Sequence, residues 1–185
     1  IGNLDETFLE EYPYPTPRFP DYPTLDKLGE LEVPGGSTLK IDDTVGRYYK
    51  SIKIGGGATL CVNTGDDPNE ERVIVVDKLD LSSGDAHIIL QGSGKLKLYV
   101  KNGFTMGGSS TINYGTSGKG DPARVTLYYG GTGDFNLLGN AKINGTVVVK
   151  DANVYIDGSG ALKGNLITGG DKEIIMMGDP DSAEV

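Results

Sequence analysis

Tryptophan is absent from these 185 residues, phenylalanine occurs 4 times, and cysteine and histidine occur once each. With so few large aromatics, a two-sheet sandwich would lack the bulk that usually fills the space between its sheets. A single cysteine, Cys61, excludes an intramolecular disulfide. It lies in the alternating run Thr59-Leu60-Cys61-Val62, where a thiol packs as a small hydrophobe. A single histidine, His87, excludes a His-rich metal site. In Asp85-Ala86-His87-Ile88-Ile89-Leu90, alternation places His87 on one face with Ile89, a structural or surface position. No clustered lysines and arginines form the stripe that a nucleic-acid groove requires. Ser82-Ser83 and Ser109-Ser110 lack the GxSxG elbow, and Gly92-Ser93-Gly94-Lys95 lacks the P-loop spacing. Signal-peptide and membrane-span patterns are missing too. Ile1 is not a natural start residue, however, so a removed signal or anchor is expected, and the membrane is a partner only through it.

What the chain does have is glycine, 29 of them, set between short β-branched runs. The segment Ala141–Val149, AKINGTVVV, is echoed by Ala161–Thr168, ALKGNLIT, twenty positions later. Asn153–Ile156 adds a third short strand before the turn Asp157-Gly158-Ser159-Gly160. A period of roughly twenty residues, made of short strands and glycine turns, predicts an all-β solenoid of about six or seven coils. The core of such a coil is narrow and is filled by Val, Ile and Leu, with glycine at the corners. Strands are expected at 38–41, 51–54, 59–63, 72–77, 79–81, 87–91, 95–101, 104–106, 111–114, 124–129, 135–138 and 173–177.

The net charge of −9 belongs to the two ends. Residues 1–33 carry eight acidic and two basic groups, residues 171–185 five and one, and the middle thirteen and fourteen. We divide the chain into an N-terminal cap or extended linker (1–34), a β-helix (35–178) and an acidic tail (179–185). Five of the 9 prolines fall between Pro13 and Pro23, interleaved with Tyr14, Phe19 and Tyr22. This spacing blocks both helix and central strand and predicts an extended strap whose aromatics pack along the solenoid. A ligand peptide for a partner domain is the alternative. Upstream, Leu4, Phe8 and Leu9 suit one or two helical turns, with Asp5 and Glu6 favourably early. Asp26–Val33 reads as a helical turn or loop. The two acidic ends sit where caps against edge-to-edge aggregation belong.

Candidate chemistry is sparse. The loop Gly65–Glu71 offers Asp66, Asp67, Asn69 and Glu70 as oxygen ligands for Ca²⁺, the one cofactor candidate, with a solvated loop as the competing interpretation. A polysaccharide-cleaving site would need Asp77, Asp80 or Asp85 to align with Arg72 or Arg124 across coils. Adjacent tyrosines give a clearer binding signal. In the pairs Tyr48-Tyr49 and Tyr128-Tyr129 one member faces outward, and Tyr99, Tyr114 and Tyr155 extend a surface ladder. Exposed aromatic rows suit sugar rings, whose apolar C–H faces stack on them.

Val73–Asn113 resembles the bacterial cell-surface domains that follow a type IV pilin-like, PilX-type N-terminal segment. The resemblance rests on Val76-Asp77-Lys78-Leu79, Gly92-Ser93-Gly94-Lys95-Leu96, Leu98-Tyr99-Val100-Lys101 and Ser110-Thr111-Ile112-Asn113. Rungs around Gly145 and Gly164 are similar to the same group, so that it spans about residues 45–170. It implies a right-handed single-stranded parallel β-helix at the cell envelope or outside the cell, and no catalytic motif. The expected function is therefore a non-enzymatic structural or adhesion domain, with cell-surface or pilus proteins, or a polysaccharide, as partner. A carbohydrate-active β-helix enzyme and a self-assembling surface scaffold are the alternatives.

Overall fold

Apolar residues recur through the chain at positions x, x+3 and x+5, as in Leu28/Leu31/Val33, Tyr49/Ile52/Ile54 and Val76/Leu79/Leu81. Strict alternation gives steps of two, so the step of three marks a bend at which a strand passes from one face to the next. The computed structural model, which describes residues 19–114, 120–169 and 172–177, shows that bend in coil after coil. Among the described residues, fourteen strands form one parallel sheet. In chain order they are β1 (Lys27–Val33), β2 (Thr38–Ile41), β3 (Arg47–Ile54), β4 (Thr59–Asn63), β5 (Glu71–Leu81), β6 (His87–Gln91) and β7 (Lys95–Met106). Then follow β8 (Thr111–Ile112), β9 (Val125–Tyr129), β10 (Phe135–Leu137), β11 (Lys142–Val149), β12 (Val154–Asp157), β13 (Ala161–Thr168) and β14 (Ile174–Met177). Among the described residues the one helical element is a single 3-10 turn, Pro122–Arg124, capped by the Asp121 carboxylate.

Pairing follows three rows. A first face stacks β1, β3, β5, β7, β9 and the C-terminal halves of β11 and β13. A second stacks the C-terminal ends of β1, β3, β5 and β7 and then β10, β12 and β14. The third stacks β2, β4, β6, β8 and the N-terminal ends of β11 and β13. The result is a solenoid-like, all-β, three-faced stack. The step between stacked partners is 21 residues from Lys27 to Tyr48, 29 from Leu96 to Val125 and 19 from Gly145 to Gly164. The repeat read as twenty residues is thus variable, because loops of unequal length enter at the corner between the third and first faces. The echo itself is one residue out of spatial register, since Lys142 rather than Ala141 lies opposite Ala161.

Lys27–Val33, expected as a helical turn or loop, is strand β1. Its helix-like spacing comes from the bend at Gly29, which turns Leu28 onto Tyr49 and Leu31 onto Ile52. The expected separate strands at 72–77 and 79–81 are one strand, β5, with a register shift between Val76 and Lys78.

The corner between the second and third faces is built from glycine. Gly36, Gly57, Gly84, Gly108, Gly139 and Gly158 all have left-handed φ, between 61° and 105°. Small residues follow and point inward: Ala58, Ala86, Ser110 and Ala141 are fully buried. Ser110 also hydrogen-bonds through its hydroxyl, donating to the Leu81 carbonyl at 2.8 Å and accepting from the Ala86 N–H at 3.1 Å. The corners stack closely, and a Cβ on Gly108 would lie 2.6 Å from the Gly84 Cα. At Gly36, in the first coil, a Cβ would meet nothing. Gly36→Ala should therefore cost only the left-handed backbone, about 1–2 kcal/mol. Gly108→Ala adds backbone overlap worth a further roughly 1–3 kcal/mol. Urea unfolding of the two variants should rank them in that order, and equal midpoints would refute the stacked-corner account.

Candidate functional site

Alternation divides the adjacent tyrosines. Tyr49 and Tyr129 lie in an inward row with Val76, Val100 and Val149, and are 9% and 1% exposed. The exposed-ligand role expected for these two is corrected: they belong to the core, and the Tyr129 hydroxyl donates to the Gly133 carbonyl at 2.7 Å. Tyr48 and Tyr128 face outward, in one row with Val75, Tyr99 and Val148. Tyr99 and Tyr128 stack with ring centroids 4.8 Å apart and an interplanar angle of 18°. Tyr114 lies elsewhere, with the Lys142 ammonium 5.3 Å from its ring, and Tyr155 stacks between Asn136 and Ile175 on the second face.

This outward row is covered by the strap. Phe19 meets Tyr128 edge-on at 5.8 Å and Tyr22 meets Tyr99 edge-on at 6.0 Å. Val75 and Tyr99 are consequently buried although they point away from the core. Three lysines border the same face. Lys101 lies 5.1 Å from the rings of both Tyr22 and Tyr48, Lys27 lies 5.2 Å from Tyr48, and Lys150 lies 5.9 Å from Phe19. Ammonium groups at these distances are attracted by the ring quadrupole. Burial raises the Tyr99 phenol above its ordinary pKa, with Tyr128 adding to the effect, and burial likewise raises Tyr22, beside Tyr48.

At the foot of this row the sheet bends at Asp77, whose carboxylate collects two donors. The Tyr48 hydroxyl donates to Oδ1 at 2.6 Å, and Lys27 Nζ donates to Oδ2. Lys101 Nζ in turn donates to the Tyr48 hydroxyl oxygen at 3.1 Å. Burial acts to raise the Asp77 pKa, but the hydrogen bonds from Lys27 and Tyr48 and the nearby positive charges outweigh it, leaving it below the ordinary value. A carboxylate so held is a weak base, so the set suits binding and positioning better than proton transfer.

The other sequence candidates do not converge. Asp80 caps the Ser82 N–H at 2.9 Å, while Asp85 pairs with His87 Nε2 at 3.1 Å. His87 Nδ1 meets the Thr111 hydroxyl at 2.8 Å, a structural partnership on the third face. Arg124 is a staple: it donates to the carbonyls of Gly94 and Gly92 at 2.9 and 2.8 Å and to the Thr64 hydroxyl at 3.0 Å. Arg72 points into the solenoid, between the register positions of leucine and isoleucine, and is fully buried. One nitrogen reaches Asp43 at 3.0 Å, and Nε and Nη1 have no partner. In the 65–71 loop, Asp67 accepts from the Asn69 N–H at 2.8 Å, forming an Asx turn. Among the described residues no three His, Cys, Asp or Glu side chains converge to hold a metal ion. Cys61 is buried, which raises its thiol pKa and makes it unreactive.

Lys27 and Lys101 are members of this set that are not among the sequence candidates. Lys101 carried a usable signal, since it lies two residues beyond Tyr99 and so on the same face. Lys27 was hidden by the helical reading of its segment.

Fold and face together define a class, a parallel β-solenoid with a strapped aromatic–lysine face. Residues 25–172 match the family model described as a domain of unknown function (DUF7305), and the chain belongs to that family. The match replaces the PilX-type resemblance, whose quoted runs are the corner glycines and alternating strands that any such coil requires. No curated protein and no solved structure matches the chain. Among the described residues no helix is long and apolar enough to cross a membrane.

Two outcomes follow from these environments. Because the Asp77 pKa is lowered on folding, its contribution to stability is complete above the ordinary carboxylate value, about 3.9, and is lost as pH falls through the lowered folded value. Asp77→Asn should thus unfold at lower urea than the parent at pH 7, with the gap closing in acid; a pH-independent gap would refute the ion-pair account. Arg72→Leu should leave stability unchanged or raise it by roughly 1–2 kcal/mol, because it removes two buried unpaired donors. Asp43 is left half-exposed and still paired with Arg47. A loss of stability in the same urea assay would show that Arg72 has partners beyond Asp43.

Proposed function

We propose that this chain is a non-enzymatic display and adhesion rod of the bacterial cell surface, with the outward aromatic row as its ligand face and a polysaccharide as ligand. In this proposal the coil is a right-handed single-stranded parallel β-helix, the hand that parallel crossovers adopt almost without exception. Residues 1–34 are its lead-in and 179–185 an acidic tail. The observation that carries the reading is the Tyr48, Tyr99 and Tyr128 row, bordered by Lys27 and Lys101 and already occupied by the rings of Phe19 and Tyr22. A face that holds an extended, ring-bearing segment by edge and stacking contacts offers the same chemistry to the C–H faces of sugars. A rigid solenoid keeps such a row straight and outward.

A second reading, a carbohydrate-active enzyme, is favoured by one observation. Asp77, the Tyr48 phenol and the Lys101 ammonium form a hydrogen-bonded set on that face.

Incubation with acidic and neutral polysaccharides, with and without Ca²⁺, separates the two. Adhesion predicts co-sedimentation with a polymer and no new chain ends. Tyr128→Ser should weaken retention roughly 2- to 10-fold, the worth of about 0.5–1.5 kcal/mol for one aromatic contact. Phe19→Ser with Tyr22→Ser, which loosens the strap, should strengthen it. Chain ends that accumulate with turnover and vanish in Asp77→Asn would establish the enzyme instead.

A further inference from the structure

Two positions beyond the tyrosine row, on the same outward face, runs a line of charge. It passes through Lys50, Asp77, Lys101, Gly130 and Lys150, the residues that follow the stacked Tyr49, Val76, Val100, Tyr129 and Val149. Its ammonium groups differ in what neutralises them. Lys50 pairs with Glu30 at 2.8 Å, and the Asp77 carboxylate is taken by Lys27. Lys101 forms no ion pair among the described residues; it rests on the Tyr48 hydroxyl and over the rings of Tyr22 and Tyr48. Lys150 has the Phe19 ring at 5.9 Å and the Asp151 carboxylate at 3.7 Å, a contact between side chains that are both more than half exposed. Such a pair is screened by solvent.

A ring face and a phenol oxygen attract a cation but leave its charge in place. Gly130, which separates Lys101 from Lys150, contributes no side chain. The two lysines are two coil steps apart, roughly 10 Å along the axis. The stacked Tyr99 and Tyr128 rings lie beside that interval. On the far side of the rings Lys97 is already paired with Glu71 at 2.6 Å.

The strap shows which way an occupant runs. Leu25 packs beside Gly46, Tyr22 against Tyr99 and Gly130, and Phe19 against Tyr128, so the segment climbs along the axis rather than around a coil. It brings rings to the two lysines but no acid. Asp21, which stands between Phe19 and Tyr22 in the chain, is exposed and makes no ion pair among the described residues. We infer, on the reading of this face as a glycan site, that its ligand is an acidic polysaccharide lying along the axis in place of the strap. Its ring faces rest on Tyr99 and Tyr128, and its carboxylate or sulfate groups meet Lys101 and Lys150.

Affinity electrophoresis of the full chain carrying Phe19→Ser and Tyr22→Ser, which loosens the strap, tests this. Polygalacturonate should retard it several-fold more than the methyl ester of the same polymer, whose backbone is identical and uncharged. Dextran sulfate against dextran makes the same comparison for sulfate, and a preference for either acidic polymer supports the proposal. Retention should fall as salt rises from about 0.1 to about 1 M, where the Debye length shortens from about 10 to about 3 Å. In the same background Lys101→Met and Lys150→Met should each weaken retention by the acidic polymer roughly 2- to 5-fold and leave the neutral one unchanged. Lys150→Arg should retain the binding. Lys150 is more than half exposed, so its variants change charge without touching the core. Lys53→Met, exposed on the second face, should have no effect. Equal retention by acid and ester would overturn the acidic ligand and leave the glycan face standing. Acid binding that ignores both lysine variants, or that falls as far in Lys53→Met, would also overturn the proposal. If the loosened chain is retained by no polymer, the glycan face falls with it.

Discussion

The stacked left-handed glycines at one corner are the constraint on which the rest depends. Each strand hydrogen-bonds to the coils above and below, so a corner displaced by one residue would move every inward side chain of that coil to the surface. Gly57, Gly84, Gly108, Gly139 and Gly158 turn the chain in φ values that a Cβ disfavours, and at Gly108, Gly139 and Gly158 close stacking leaves little space for one. Ala58, Ala86, Ser110 and Ala141 follow because the tight corner leaves room inside for nothing larger.

The opposite corner obeys no such rule and absorbs the chain's irregularity. There the loop at 64–70 and the longer excursion between Asn113 and Arg124 enter, and side-chain hydrogen bonds hold them, together with the closely packed glycines Gly65, Gly92 and Gly94. Asn113 and Asn144 each donate to the other's carbonyl, at 3.0 and 3.1 Å. Arg124 ties its own coil to the carbonyls of the Gly92–Gly94 turn and to the Thr64 hydroxyl. Variable length at one corner and fixed geometry at another let the coil step range from 19 to 31 residues without disturbing the core.

The interior, committed to packing, leaves function to the outer faces. The first face concentrates aromatic rings and ammonium groups, and the strap lies on it as a ligand would. The described course of that strap ends at Phe19, on Tyr128 and beside Lys150, so detaching it would expose the aromatic face.

Glycine spacing, β-branched runs and the scarcity of large aromatics determined the all-β solenoid and nearly every strand, because those features act locally through turn geometry and alternation. Of the proline–tyrosine run only Phe19–Pro23 is described; Pro13–Arg18, the helical turns expected at Leu4–Leu9 and the tail at 179–185 lie outside the described residues. Register was decided only by the tertiary structure, since Gly145 facing Gly164 sets a 19-residue step where the similarity of Ala141 and Ala161 indicates twenty. So was the fate of each tyrosine: alternation says that Tyr48 and Tyr49 differ, but only stacking shows which is core. Asp77 gained its partners in the same way, from Lys27 and Tyr48, 50 and 29 residues away. A solenoid brings together residues one coil apart, and the coil length, fixed by loops that leave no periodic signal, is what the sequence does not state.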